Sequence, residues 1–272
     1  MSVSSAPPRI PCRRRIGARL LALYGVGGFL FLYLPLLLLM FFSFNESDTG
    51  TFPITGLSLK WYRRLREEFF VREAFVNSLV VALIATAVAL PVGTLCAFGL
   101  VRGRFRGKGL FMSLILMPMV VPGLLIGIAL LIVLVPIFQV GLSLWTAALG
   151  HVVILTPYVV LVVATRLYGF DRTLEAAAAD LGAAPARVLW NVTLPLIMPG
   201  ILAAALIVFT LSLDQFGVTL FTIGADSTLP MYIWSQIEVG VTPTVNALGT
   251  IFIVVSVTVL LLAHLVLQRR AA

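Results

Sequence analysis

Few residues in this chain could do chemistry where most of it lies, in long apolar runs. Asp214 is the one acid inside the apolar part of such a run, in SLDQFGVTLFT (Ser212 to Thr222). Placing a carboxylate at the centre of a bilayer costs ~2.5–3.5 kcal/mol on insertion scales, so such a group usually faces a water-filled cavity or a partner. Two readings follow. Asp214 faces a path through the membrane and pairs with an ammonium group, with the rings of Phe216, Tyr232 and Trp234 adding cation–π attraction. Alternatively, it lies near the outer membrane surface and caps a helix break ahead of Gly217. His151 and His264 sit in or at the ends of apolar runs, and two isolated imidazoles without a third ligand make no metal centre. Cys12, in a basic stretch, and Cys96, in an apolar run, make no disulfide framework. The phosphate-cradling pattern G-x-x-x-x-G-K-[ST] does not occur; the one Gly-Lys pair, Gly107-Lys108, is followed by Gly109. Without a nucleophile–base–acid set either, the chain is read as a non-enzyme with no cofactor of its own.

The elements that must position these residues follow from composition. The chain has 272 residues, 60% hydrophobic and 11% charged, with a mean hydropathy of +1.09. A soluble domain is about half apolar and a quarter charged. A helix crosses a bilayer with ~20 apolar residues, so the length holds about six crossings and no sizeable soluble domain. The continuous runs exclude a β-barrel, whose strands alternate. The fold class is therefore an all-α integral membrane protein. The net charge of +8 does not point to nucleic acid, because the charges lie between the apolar runs.

In order, 1–19 is a basic tail and 20–43 a first transmembrane helix. This run is too long, and ends too bulky, for a cleaved signal peptide. Residues 44–73 form an outer loop, within which Leu59 to Val71 is expected as an amphipathic interfacial helix with Trp61, Tyr62, Phe69 and Phe70 at headgroup depth. Further spans are expected over Ala74–Val101, Leu110–Val135, Trp145–Thr165, Leu196–Leu213 (resuming after Asp214 to Ile223) and Ala247–Leu267. A mixed loop covers 224–244, and 268–272 is a short tail. Pro91, Pro118, Pro122 and Pro157 fall inside spans, where neighbours can re-satisfy the freed carbonyls. Fourteen Lys/Arg fall on one side of this arrangement and five (Lys60, Arg63, Arg64, Arg66, Arg72) on the other, the latter matched by five acids in the same loop. Positive charge accumulates on the cytoplasmic side. Both termini and the 166–195 segment are therefore expected in the cytoplasm.

That segment, EAAAADLGAAPARVLWNVTLP (Glu175 to Pro195), is unlike its surroundings. Asp171 suits a helix N-cap, Leu174–Ala179 is strongly helix-forming, Gly182 suits the left-handed residue that ends a helix, and Pro185 suits the first turn of the next. Ahead of Pro195 that second helix is expected to end or kink. The expected product is two short helices at an angle, with alanines that let another protein approach the backbone and with Glu175 and Asp180 supplying charge.

Glu175-Ala176-Ala177, Gly182 and, after nine further residues, Val192-Thr193-Leu194-Pro195 resemble the EAA loop of permease subunits of bacterial ATP-binding-cassette importers. The family's pattern is EAA, three residues, G, nine residues, I, one residue, LP; Val192 stands here for Ile. Asn77-Ser78-Leu79 is similar to the opening of that family's type I transmembrane domain, and the resemblance runs from about Phe75 onward, giving a domain over 74–267 with its EAA loop at 171–195. Gly56–Leu65, Ser212–Thr222 and Thr228–Thr250 resemble, more narrowly, the second permease of spermidine/putrescine importers, although Gln215 stands where that subgroup commonly has a second acid.

The resemblance implies a six-helix type I permease whose coupling helix seats in an ATPase subunit through Glu175, Ala176, Ala177, Asp180, Leu181 and Gly182. It also implies a second permease as partner, two ATPase subunits carrying ATP and Mg, and a periplasmic solute-binding protein. A polyamine leads as the solute, with thiamine, ferric iron, phosphonate or an amino-acid-like solute as alternatives. A self-sufficient secondary carrier would need internal repeats and an ion site, and an intramembrane enzyme would need clustered polar groups; neither is evident.

Overall fold

The computed structural model describes residues 12–48, 52, 54, 56–240 and 242–271. It is helical, with no β-strand among the described residues beyond an isolated Asn45–Leu57 bridge. The helices are α1 (Cys12–Phe42), α2 (Lys60–Glu67), α3 (Phe69–Arg102), α4 (Lys108–Val120), α5 (Gly123–Ile132), α6 (Leu144–Tyr168), α7 (Thr173–Asp180), α8 (Pro185–Val188), α9 (Leu194–Leu213), α10 (Thr219–Thr222), α11 (Leu229–Val239) and α12 (Pro243–Ala271). Two π-helical turns interrupt them, at Val133–Ile137 and Leu189–Thr193. Four helical stretches are long and apolar enough to cross a membrane, up to five if the bent pair α4–α5 is one span, and Pro243–Thr258 is a shorter apolar helix.

The centre is the trio α3, α6 and α9. Apolar attraction between helices is weak inside lipid, so close packing through small residues holds them together. Ala82, Ala85, Ala89 and Ala97 of α3 are fully buried, and Val159, Val160, Val163, Ala204 and Val208 complete the interior. Gly93 lets α3 and α6 approach closely, since a Cβ there would stand 2.5 Å from the Val159 Cβ. A second core under the loops joins Trp61, Leu65, Val71, Ala74, Leu229, Tyr232, Ala247 and Leu248.

At α1 the packing is sparse. Its apolar side chains from Leu21 onward are exposed nearly all round. It leans on α12, where Leu39 lies over Gly249 at 3.3 Å from where a Cβ would be.

Several expectations need correction. The third span is not straight: α4 and α5 meet at a 104° bend. Pro122 has no N–H to continue the helix and pushes Val121 into the extended region (ψ 130). The outer amphipathic helix stops at Glu67, Glu68 is extended (ψ 108), and Phe69–Val71 already belong to α3. Trp61 is not interfacial but buried, its Nε1 donating to the Asn45 carbonyl at 2.7 Å. The 224–244 stretch contains the helix α11 rather than a plain loop. The terminal tails are in part helical, with α1 beginning at Cys12 and α12 running to Ala271, while residues 1–11 lie outside the described residues.

Candidate functional site

The polar segment between α6 and α9 folds as its residue types dictate. The backbone N–H of Thr173 donates to Asp171 Oδ1 at 2.9 Å, but the N-cap position of α7 is held by Arg172 and not, as expected, by Asp171, which stands one residue ahead of it. Two hydrogen bonds from Thr173 hold Asp171 below the usual carboxylate range, the backbone amide first and the side-chain hydroxyl second. Gly182 takes the left-handed conformation (φ +82), its N–H donating to Ala179 and that of Ala183 to Ala178, which closes α7. Pro185 then opens α8. The expected end or kink before Pro195 is absent. Instead α8 widens into the π-turn Leu189–Thr193 and continues as α9, so one helix of 29 residues, Pro185–Leu213, follows the elbow at Gly182.

Ala178, Ala179, Asp180 and Leu181 separate Ala177 from Gly182, one residue more than the pattern's three. Framed on Gly182, the pattern's acid falls on Ala176 and Glu175 stands one place upstream. Glu175 turns inward, accepting from Arg102 Nη2 at 2.5 Å and from the Thr193 hydroxyl in the π-turn. Burial pushes its carboxyl up, but those two hydrogen bonds and the charges of Arg102 and Arg172 outweigh it, leaving it below its ordinary value. Arg102 also lies over the rings of Phe98 and Phe170. The outer face carries Ala176, Ala177, Asp180 and Gly182, all exposed, with Leu181 90% exposed and Trp190 68% exposed beside them.

At the far end of α9, Asp214 is exposed and makes no hydrogen bond or ion pair among the described residues. Phe216 and Trp234 bring their rings to 5.4 Å of each other, and Trp234 Nε1 donates to Glu238 at 2.7 Å. Tyr232 does not join them. It lies buried in the second core, its hydroxyl donating to Glu68 at 2.8 Å. Burial first, and the Glu68 carboxylate second, push that hydroxyl well above its ordinary value, so it remains a donor.

Nothing in the sequence marked His151 as the tie between these ends. It is 1% exposed, with Nδ1 at 2.6 Å from Ser212 Oγ and Nε2 at 2.8 Å from Thr219 Oγ1. The Thr219 hydroxyl already donates to Gln215 at 2.7 Å, so it accepts from Nε2–H, and Ser212 donates to Nδ1. One imidazole thereby fastens α6 to α9 and α10. Thr146 adds a second tie, donating to the Thr222 carbonyl at 2.6 Å. Gly150 lets them meet, since a Cβ there would fall 2.4 Å from Val218 Cγ1. The resemblance-bearing Asn77 and Ser78 hold the next connection: Asn77 Nδ2 donates to the Ser227 carbonyl at 3.0 Å and Ser78 Oγ accepts from the Leu229 amide at 2.8 Å. Among the described residues no three of His, Cys, Asp and Glu gather at one point, and the His264 side chain lies outside them.

Residues 89–272 match the family model described as binding-protein-dependent transport system inner membrane component. The putrescine transport system permease protein PotI of Escherichia coli (strain K12) is 40% identical over 236 residues, 83% of either chain. The spermidine/putrescine transport system permease protein PotC of Haemophilus influenzae is 36% identical over 240 residues, 88% of this chain and 93% of that one. In fold, the chain is similar to a bacterial ABC transporter involved in the import of the acidic polysaccharide alginate, with a TM-score of 0.76 at 15% identity, covering 94% of this chain and 96% of that one.

Proposed function

The chain belongs to the family of binding-protein-dependent transport system inner membrane components, and from that premise we propose that it forms half of an ATP-driven import path for a polyamine. The observation that carries the solute is the identity of 40% and 36%, over most of the chain, to proteins named for putrescine and spermidine/putrescine transport. Asp214, exposed and unpaired among the described residues, precedes Phe216 by two positions, and the Phe216 ring meets that of Trp234, so this stretch carries what an ammonium group binds, a carboxylate and aromatic faces.

In this reading a periplasmic solute-binding protein delivers the solute, and a second permease supplies the other half of the path. Two ATPase subunits, which bind ATP and Mg, dock on the face made by Ala176, Ala177, Asp180, Leu181 and Gly182. Their closure moves α7 and α8, and the unbroken passage from α8 into α9 carries that motion to Asp214. Glu175 acts as a positioning residue for that face. Both termini and the 171–195 loop lie in the cytoplasm and residues 44–73 outside, a placement supported by the excess of Lys and Arg on the former side.

The test is ATP-driven uptake of labelled putrescine and spermidine by the complete complex in proteoliposomes, with its binding protein. Uptake of either, lowered at limiting solute by Asp214→Asn, is expected. Uptake of a thiamine- or amino-acid-like solute instead would overturn the solute assignment, and flux by this chain alone would overturn the importer.

A further inference from the structure

A cavity of about 320 Å³ lies between α2, α3, the end of α9, α11 and α12. Its wall is almost wholly apolar, with Leu65, Phe75, Leu79, Leu248, Ile251 and Phe252 prominent. Cavities lined this way exclude water, so hydrocarbon is the fitting occupant. Two charged side chains also line it, Arg66 of α2 and Arg72 of the first turn of α3.

Neither arginine forms a salt bridge among the described residues. The loop's five acids balance its five cations in number, but the geometry leaves that balance unused. Among the described residues Asp48 alone of these acids makes an ion pair, with Lys60 at 3.1 Å, and Glu68 is occupied as acceptor for Tyr232. Beside the cavity, Phe69 and Phe70 stand 67% exposed with their rings edge to face at 6.0 Å, as apolar groups do at the headgroup boundary. An occupant must therefore join a hydrocarbon tail to an anionic head at interfacial depth, and a guanidinium fork fits a phosphate.

We infer that this cavity binds one anionic phospholipid, its headgroup phosphate on Arg66 and Arg72 and an acyl chain among the apolar side chains beneath. The inference rests on the chain being membrane-embedded and not on which solute it carries.

The experiment is native mass spectrometry of the complete complex, released into mild detergent and supplied with phosphatidylglycerol or phosphatidylethanolamine. Wild type retains phosphatidylglycerol in preference. Retention falls about 5-fold in Arg66→Gln or Arg72→Gln and about 25-fold in the double variant, as expected if each cation near a lipid headgroup contributes independently. Leu79→Trp, which fills the cavity, lowers retention with both arginines intact. Arg63→Gln/Arg64→Gln, on the same loop but not lining the cavity, leaves it unchanged. Equal retention of the two lipids, or an equal loss in the Arg63/Arg64 variant, would overturn the site in favour of diffuse surface charge. A cross-link from Leu79→Cys to a helix of a partner subunit would overturn it in favour of protein filling the space.

Discussion

Arg102 Nη2 and Glu175 Oε1 are 2.5 Å apart across a sequence separation of 73 residues. The pair joins the C-terminal end of α3 to the first turn of α7, and Thr193, from the π-turn that leads into α9, donates to the same carboxylate oxygen. Three separate elements therefore meet on one oxygen. An α7 helix of eight residues is too short to hold a position by itself, so this junction fixes how its outward face is presented.

Breaking the junction should uncouple transport rather than abolish folding. Glu175→Gln and Arg102→Gln are each expected to cost about 1–3 kcal/mol, typical of a partly buried hydrogen bond to a charged group. They should lower uptake while ATP hydrolysis continues. The charge exchange Arg102→Glu with Glu175→Arg should restore part of the coupling. Uptake per ATP hydrolysed, in proteoliposomes, separates these outcomes, and unchanged coupling in both single variants would remove Glu175 from the positioning role.

Acid should loosen the same junction. The folded-state carboxyl of Glu175 lies below its unfolded value. Its stabilising contribution is thus fully present above the unfolded value of ~4.3 and is lost as pH falls through the lowered folded value. The Tm gap between wild type and Glu175→Gln should hold constant from about pH 8 to pH 5 and narrow below about pH 4.3. A gap that narrows near neutrality would contradict this assignment.

Leu181 should matter to a partner and not to the fold, because it is 90% exposed. Leu181→Asp is expected to leave Tm unchanged and to weaken co-purification of the ATPase subunit. Gly182→Ala is different in kind, because its backbone is left-handed at φ +82. It should cost about 1 kcal/mol in strain and weaken the same association by tilting α8.

His151→Leu keeps the volume and removes both hydrogen bonds. Inside a membrane such bonds are worth about 0.6–1.7 kcal/mol each, so a loss of roughly 1–3 kcal/mol is expected, measured by thermal unfolding in detergent. His151→Gln, which can donate and accept, should recover part of it. Equal stability of the Leu variant and wild type would show the triad of His151, Ser212 and Thr219 to be incidental.

What the sequence made legible were features with a local cause. Long uncharged runs placed the helices, and Gly182 and Pro185 marked the elbow because each has a backbone preference of its own. Features that depend on distant residues were not legible. Glu175 looked like a charge offered to a partner, and only its meeting with Arg102 turned it inward. His151 looked like an isolated imidazole until α9 and α10 brought it two hydroxyls. Trp61 sits in a stretch that reads as interfacial, yet the second core claims it. The two π-turns have no sequence signature, since one extra residue in a turn is tolerated wherever neighbours hold it. The 104° bend needed Pro118 and Pro122 to be read as a break rather than as a kink in a single rod.

The packing of α1 against α12, with Leu39 over Gly249, has a consequence for biosynthesis. Leu39 and Gly249 are 210 positions apart (249 − 39), so α1 meets this neighbour only after all the intervening helices have been made. A chain stopped short of Gly249 never acquires that contact.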